Sequence, residues 1–187
     1  MLLFSTAPGP EPGLETLTAR MAQGDRTALG ELYRRAKGAV YALALSYMKS
    51  HSDAEDITQN VFLRAWEQAA QFSGQGKALN WLLAITRNLC RMELRRKQQQ
   101  RQLPLGEEHL ELPAPEAPVS PEDREVLQAL LQRLEPQERQ IVVLHAVAGL
   151  KHREVAQLLE MPLSTVLSKY SRSLKKLKKS LEGDEAL

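Results

Sequence analysis

The sequence predicts an all-α protein made of two small helical domains joined by a flexible linker. Three observations predict it. Aromatic residues are 5% of a chain that is 43% apolar, so the core is mostly Leu, Ala, Val and Ile, an aliphatic mix that favours helices. Apolar residues recur at 3-4 spacing, with no alternating pattern of the kind that makes strands. Between two such stretches, Pro104, Pro113, Pro115 and Pro118 fall close together and rule out continuous helix. The 187 residues leave room for one ordinary domain or two small ones.

Taken in order, residues 1–13 end in Pro8-Gly9-Pro10-Glu11-Pro12-Gly13 and read as a disordered tail. The first domain spans 14–101. A short helix from Leu14 to Gln23 is broken by Gly24, and Asp25 caps a long helix with its apolar face at Leu29, Leu32, Tyr33, Ala36, Val40, Leu43, Ala44 and Tyr47. After a break at 49–51, Ser52 and Glu55 form a capping-box pattern that opens a third helix, with a buried stripe at Ile57, Val61, Ala65 and Trp66. Phe72 to Gly76 is a loop by composition. A fourth helix starts at Ala78 or Leu79, is apolar at Trp81, Leu82, Ile85, Leu89 and Met92, and runs to about Arg101. Residues 102–120 are the linker. The second domain, 121–182, restarts at Ser120-Pro121-Glu122-Asp123 and holds helices near 121–134, 136–148, 152–160 and 164–181; residues 183–187 are a tail.

The net charge of +2 hides an uneven distribution. Residues 87–101 carry Arg87, Arg91, Arg95, Arg96, Lys97 and Arg101 against Glu93, a net +5. Residues 167–180 carry Lys169, Arg172, Lys175, Lys176, Lys178 and Lys179 and no acid, a net +6, while residues 103–125 carry seven acids against Arg124, a net −6. One basic run is commonly just a solvated helix face. Two, separated by an acidic linker, suit a protein that grips nucleic-acid phosphates at two places.

Several function classes are excluded. The longest apolar stretch, Ala39 to Met48, is far short of the roughly 20 residues that span a bilayer, and Met1-Leu2-Leu3-Phe4 is too short for a signal peptide. The single cysteine, Cys90, precludes an internal disulfide and fits a reducing cytoplasm. His51, His109, His145 and His152 lack metal-site spacing, and there is no Gly-rich phosphate loop. The expectation is a cytoplasmic protein, not an enzyme, with no metal and no cofactor.

The most informative stretch is 149–166. A helix-turn-helix needs a short first helix with an Ala where the second crosses it, a tight turn, and an apolar residue early in the recognition helix. Ala156, the Glu160-Met161-Pro162 turn and Val166 occur in that order, with Val155, Leu158 and Leu159 for packing. The recognition helix then presents Ser164, Thr165, Ser168, Lys169, Ser171 and Arg172, with Lys175, Lys176, Lys178 and Lys179 beyond them. Small hydroxyls and long cations suit base edges and phosphates in the major groove. The plainer reading is a helical hairpin with a solvated basic end.

Leu134-Glu135-Pro136-Gln137-Glu138-Arg139-Gln140-Ile141-Val142-Val143-Leu144, followed by this helix-turn-helix, resembles region 4 of sigma factors, especially the extracytoplasmic-function (ECF) group. The resemblance implies that this domain reads the −35 promoter element, through Ser164, Thr165, Ser168, Lys169, Arg172, Lys175 and Lys176, and touches the polymerase β flap. Asp53 to Trp66 resembles region 2.2, which docks on the β′ clamp helices, and implies contacts from Asp56, Gln59, Asn60 and Arg64. Trp81 to Leu89 resembles regions 2.3 and 2.4, which open and read the −10 element, and implies contacts from Asn80, Arg87, Asn88, Arg91, Arg95 and Arg96. At helical spacing with Ile85 and Leu89, Trp81 reads as core rather than as a base-stacking platform. The chain departs from the family where Lys151 replaces the usual Ser or Thr, Glu160 and Ser164 replace Gly, Leu167 replaces a cation and Met92 replaces an acid.

The resemblance covers about residues 14–97 and 121–182. It implies an alternative sigma factor that binds core RNA polymerase and promoter DNA and is held by an anti-sigma factor. Two other readings stay open: a DNA-binding regulator that uses the helix-turn-helix alone, and a sigma-like chain that titrates an anti-sigma factor.

Overall fold

Asp25 organises the entry into the first bundle. In the computed structural model, which describes residues 12–48, 50–72, 77–100, 131 and 133–184, α1 (Leu14–Ala22) ends at Gly24 with φ +87°. The Asp25 carboxylate then accepts the N–H groups of Thr27 (2.9 Å) and Ala28 (3.2 Å), which would otherwise be unpaired at the start of α2 (Arg26–Met48). It also takes the Arg20 guanidinium at 2.6 Å. Hydrogen bonds from Thr27 and Arg20 hold its carboxyl well below the usual carboxylate range.

The predicted face of α2 is the buried one: Leu32, Ala36, Val40, Leu43 and Ala44 are within 1% of full burial, with Leu29, Tyr33 and Tyr47 partly buried beside them. Helix α3 (His51–Gln68) starts one residue before the expected Ser52. Ser50, not Ser52, is the cap, and its hydroxyl accepts from the Asp53 N–H at 3.4 Å. Both serines stand three residues before an acid, so the spacing alone does not choose between them; Ser50 has the extended backbone a cap needs, with φ −118° and ψ 131°. Helix α3 ends in a 3₁₀ turn at Ala69–Gln71. Helix α4 (Ala78–Gln100) buries Ala78, Leu82, Leu83, Thr86 and Cys90. Met92, expected on its apolar face, is instead 63% exposed, because two residues beyond Cys90 it lies on the far side of the helix from the buried line of Leu82, Thr86 and Cys90. The buried hydroxyls of Thr58 and Thr86 are satisfied by the carbonyls four residues back, at 2.7 and 2.8 Å.

The second bundle opens with Pro136 at the first turn of α5 (Pro136–Val142), where Glu138 accepts the Glu135 N–H at 3.3 Å. The chain continues through a π turn at Val143–Val147 and reverses at Gly149, φ +71°. Helix α6 (His152–Leu159) and helix α7 (Leu163–Asp184) are the helix-turn-helix. Between them, Met161 N–H donates to Ala156 O (2.9 Å) and Glu160 N–H to Gln157 O (3.3 Å), the paired bonds of a Schellman ending. Glu160 takes the left-handed conformation this ending requires, φ 58° and ψ 44°, a position that costs a non-glycine residue roughly 1–2 kcal/mol. As expected, Val155, Ala156 and Val166 are buried where the helices cross. His145 and His152 stack at 4.0 Å between centroids, with the Tyr170 ring edge-on to both.

The two bundles share a core. Leu43 of α2 and Leu83 of α4, both fully buried, belong to the cluster of Ile141, Leu144, Leu150, Val155 and Val166. Arg139, 5% exposed, reaches across to the Ser46 carbonyl (3.4 Å) while also holding those of Leu131 and Leu134. The linker at 102–120, the start of the helix expected at 121–134 and most of the tail at 1–13 lie outside the described residues.

Truncating Leu82, fully buried in the first bundle, removes a branched side chain from a packed site. Leu82→Ala is expected to lower unfolding stability by about 2–5 kcal/mol in chemical denaturation. Because the Asp25 pKa is depressed in the fold, its stabilisation is complete above its ordinary value of 3.8 and is lost as pH falls through the folded value. Asp25→Ala should therefore melt below the native chain at pH 7, and the gap should close progressively from pH 4 to pH 2.

Candidate nucleic-acid interface

Three surfaces carry the residues singled out in the sequence. The first is the outer face of α3. Asp56, Gln59, Asn60 and Arg64 are all exposed, and the helical repeat sets them side by side. Leu63 stands among them at 61% exposure, and Glu67 extends the face, with Arg64 3.2 Å from its carboxylate. Leu63 was not identified from sequence. Its signal was available, since it follows Asn60 and Gln59 at the spacing of the exposed face, opposite the buried stripe of Ala54, Ile57, Val61 and Ala65. An uncovered leucine ringed by polar and charged groups is suited to a protein partner. Asp53, by contrast, is tied to Lys97 of α4, and so braces the bundle.

The second surface is the cationic track on α4. The structure divides it. Asn88 and Arg95 are exposed, and Arg96 is exposed but paired with Glu93 at 2.6 Å. Asn80, Arg87 and Arg91 face the second bundle. Arg87, its side chain 13% exposed, donates to the Leu158 carbonyl at the end of α6 and to Glu160 at 2.9 Å. Arg91 lies 3.6 Å from the other Glu160 oxygen. Asn80 donates to Glu154 at 3.4 Å, and Lys77, absent from the predicted set, pairs with the same carboxylate at 2.8 Å. Hydrogen bonds from Lys77 and the Lys151 N–H hold Glu154 below the usual carboxylate range. Trp81 is half-buried against the first core, its ring 5.2 Å from that of Phe72, in agreement with a packing role. Residues 73–76 of the loop beside it lie outside the described residues.

The third surface is α7. Ser164, Ser168, Arg172 and Lys175 are exposed and Thr165 is partly so, along the side away from the buried Val166 and Ser173. Lys169 is mostly covered, 4.0 Å from Glu135. Lys176 clamps Glu138, which is 2% exposed, through both carboxylate oxygens at 2.8 and 3.0 Å. Burial pushes the Glu138 carboxyl up, but Lys176 and the Glu135 N–H outweigh it and the net shift is downward. Two of the seven expected −35 contacts therefore also brace α7 against α5. Leu167, 46% exposed, stands among the serines, an apolar group where a thymine methyl could be read.

Among the described residues no set of three His, Cys, Asp or Glu converges as a metal site. Burial pushes the Cys90 thiol up to about 12, so it is not a nucleophile at neutral pH. No described helix is long and apolar enough to cross a membrane.

The chain is similar to known proteins along most of its length. The family profile Sigma-70 region 2 matches residues 32–100, and Sigma-70, region 4 matches residues 124–177. The RNA polymerase sigma factor NccH of Alcaligenes xylosoxydans xylosoxydans is 33% identical over 180 residues, 91% of this chain and 96% of that protein. The ECF RNA polymerase sigma factor SigK of Mycobacterium tuberculosis H37Rv is 29% identical over 176 residues, 90% of this chain and 94% of SigK. Among solved structures, CnrH bound to the cytosolic domain of CnrY superposes with a TM-score of 0.66 at 24% identity, over 91% of this chain and 97% of CnrH. The fold is shared at similar likeness by the sigma factor RpoE of Bartonella quintana bound to the anti-sigma factor NepR: TM-score 0.63, 23% identity, 82% of this chain and 96% of RpoE. The helix-turn-helix, the helical bundle before it and these matches in the same order along the chain make this protein a member of the sigma-70 family, of its extracytoplasmic-function group.

Proposed function

We propose that the chain joins core RNA polymerase through the outer face of α3, reads the −10 element with the α4 track and reads the −35 element with α7. The observation that carries this is the uncovered face of Asp56, Gln59, Asn60, Leu63 and Arg64, on a helix whose other side is core. A regulator acting through its helix-turn-helix alone has no use for such a face. Polymerase supplies the chemistry of RNA synthesis, so the chain acts in the cytoplasm as a specificity subunit and not as an enzyme.

Each surface suits its task. On α7, small hydroxyls can approach base edges while Arg172 and Lys175 neutralise flanking phosphates. On α4, Asn80, Arg87, Asn88, Arg91, Arg95 and Arg96 offer cations and amides to a single strand whose stacking has been lost, a loss of a few kcal/mol per step that such contacts offset. CnrH and RpoE, which share the fold, were solved with CnrY and with the anti-sigma factor NepR. An anti-sigma partner is accordingly proposed for this chain as well.

Reconstituted transcription tests the reading: core polymerase with this chain should start RNA from a subset of a random promoter library, and no product from any template would overturn it. Leu63→Asp should weaken core binding at least about tenfold, the scale of a central interface contact, and leave duplex binding by α7 intact. Arg172→Ala should weaken duplex binding on every sequence and lower the slope of log K against log salt by about 1 in an anisotropy titration.

A further inference from the structure

Three aromatic side chains meet inside the second bundle, and none of them belongs to the three surfaces described above. His145 comes from the π turn, His152 from the first turn of α6 and Tyr170 from α7. The two imidazoles stack at 4.0 Å between centroids, and the Tyr170 ring stands edge-on to both, at 4.8 and 4.9 Å. His145 Nδ1 lies 2.7 Å from the Leu150 carbonyl; a carbonyl only accepts, so Nδ1 carries the hydrogen. His152 Nε2 is buried and has no hydrogen-bond partner. As the bare nitrogen of a neutral ring it leaves one lone pair unfilled. In an imidazolium both nitrogens carry hydrogen, and the same atom becomes a buried, charged donor without an acceptor. Burial and the neighbouring His145 accordingly hold the His152 pKa below its ordinary value of 6.5.

The acids on the elements around the pair are already engaged. The π turn packs on α2, α5 and α6, and α6 packs on α4 and α7. Glu135 and Glu138 of α5 are held by Lys169 and Lys176 of α7. Glu154 of α6 is held by Lys77, and Glu160 by Arg87 and Arg91 of α4. Arg139 of α5 is turned to the Leu131 and Leu134 carbonyls. From α2 this core takes Tyr47, whose phenol burial pushes up to about 12. Lys151 and Arg153 flank His152, and Lys169 and Arg172 stand one and two residues from Tyr170, cations that oppose a further positive charge.

We propose that the His145–His152–Tyr170 stack is a proton-sensitive pin: with both imidazoles neutral it seats α7 against α6 and the π turn for duplex binding, and a proton on His152 unseats it and weakens that binding. This rests on the reading of α7 as the duplex-binding helix. Tyr170 lies between Ser168 and Arg172 on that helix, so displacing its ring disturbs the residues that would meet DNA. The sign sets the pin apart from plain electrostatics, in which an added cation strengthens phosphate binding as pH falls. Because the folded His152 pKa is depressed, the stabilisation tied to the neutral ring is complete above 6.5 and is lost as pH falls through the lower folded value.

The test follows the anisotropy of a fluorescein-labelled, random-sequence DNA duplex with the full chain, from pH 7.5 to pH 5.5 at constant ionic strength. Native affinity should fall about threefold or more, short of the roughly tenfold per pH unit that one fully coupled proton would give. His152→Phe keeps a ring in the stack and removes the proton site, so its affinity should hold level or rise over the same range. His51→Gln alters a histidine paired with Tyr41 in the first bundle and should follow the native profile. In NMR spectra of the native chain, the His152 imidazole should titrate below 6.5 and the Tyr170 ring signals should shift with it, a reading that does not depend on the Phe variant folding. Native affinity that stays level or rises in acid overturns the proposal. So does an equal fall in His152→Phe, a level profile in His51→Gln, or a His152 titration that leaves Tyr170 unmoved. If no protein binds duplex even at pH 7.5, the assignment of α7 to DNA fails and the pin with it; binding at pH 7.5 without the acid loss fails the pin alone.

Discussion

Arg87 is the residue on which the two halves of the molecule converge. It leaves α4 one turn beyond Leu83, the leucine that α4 buries in the second core, and caps the carbonyl end of α6 while pairing with Glu160. A guanidinium 13% exposed needs its charge balanced, and Glu160 of the helix-turn-helix balances it while the Leu158 carbonyl accepts a second N–H. Beside that contact Leu43 and Leu83 pack into the second core, and the chain turns through the αL residue Glu160 into α7. The front half of the α4 cationic track is thereby made part of an internal contact.

Much of the fold was legible in the sequence because it is written in local rules. Asp25 before a 3-4 apolar stripe, Pro136 at a helix start and Gly149 at a reversal each act on neighbouring residues. The helix-turn-helix was legible for the same reason: Ala156, the turn and Val166 lie within eleven residues. The cap of α3 was misplaced by two residues because Ser50 and Ser52 satisfy the same spacing, and only the extended backbone at Ser50 separates them. Met92 was misread because the 3-4 spacing counted from Trp81, Ile85 and Leu89 runs beside, not along, the line of Leu82, Thr86 and Cys90 that the core covers.

The site was less legible, because its geometry depends on contacts 38 to 74 residues apart. Nothing local to Arg87 indicates that its partner is Glu160, and nothing local to Lys176 indicates Glu138. Charge counting put all these cations in one class, as free phosphate binders. The structure sorts them into cations that brace an acid, such as Lys97 and Lys176, cations that clasp the other bundle, such as Arg87, and exposed ones such as Arg95, Arg172 and Lys175. Leu63 was passed over for a related reason: a search for chemistry-bearing side chains skips an apolar one, although an uncovered leucine is the stronger mark of a protein contact.

A double-mutant cycle on Arg87 and Glu160 addresses the contact directly. Unfolding free energies of the native chain, Arg87→Ala, Glu160→Ala and the pair are compared at low and high salt. The shared face predicts single losses that do not add, with a coupling of about 0.5 kcal/mol or more at low salt that shrinks as salt rises. Additivity within about 0.3 kcal/mol at both salt concentrations would contradict it.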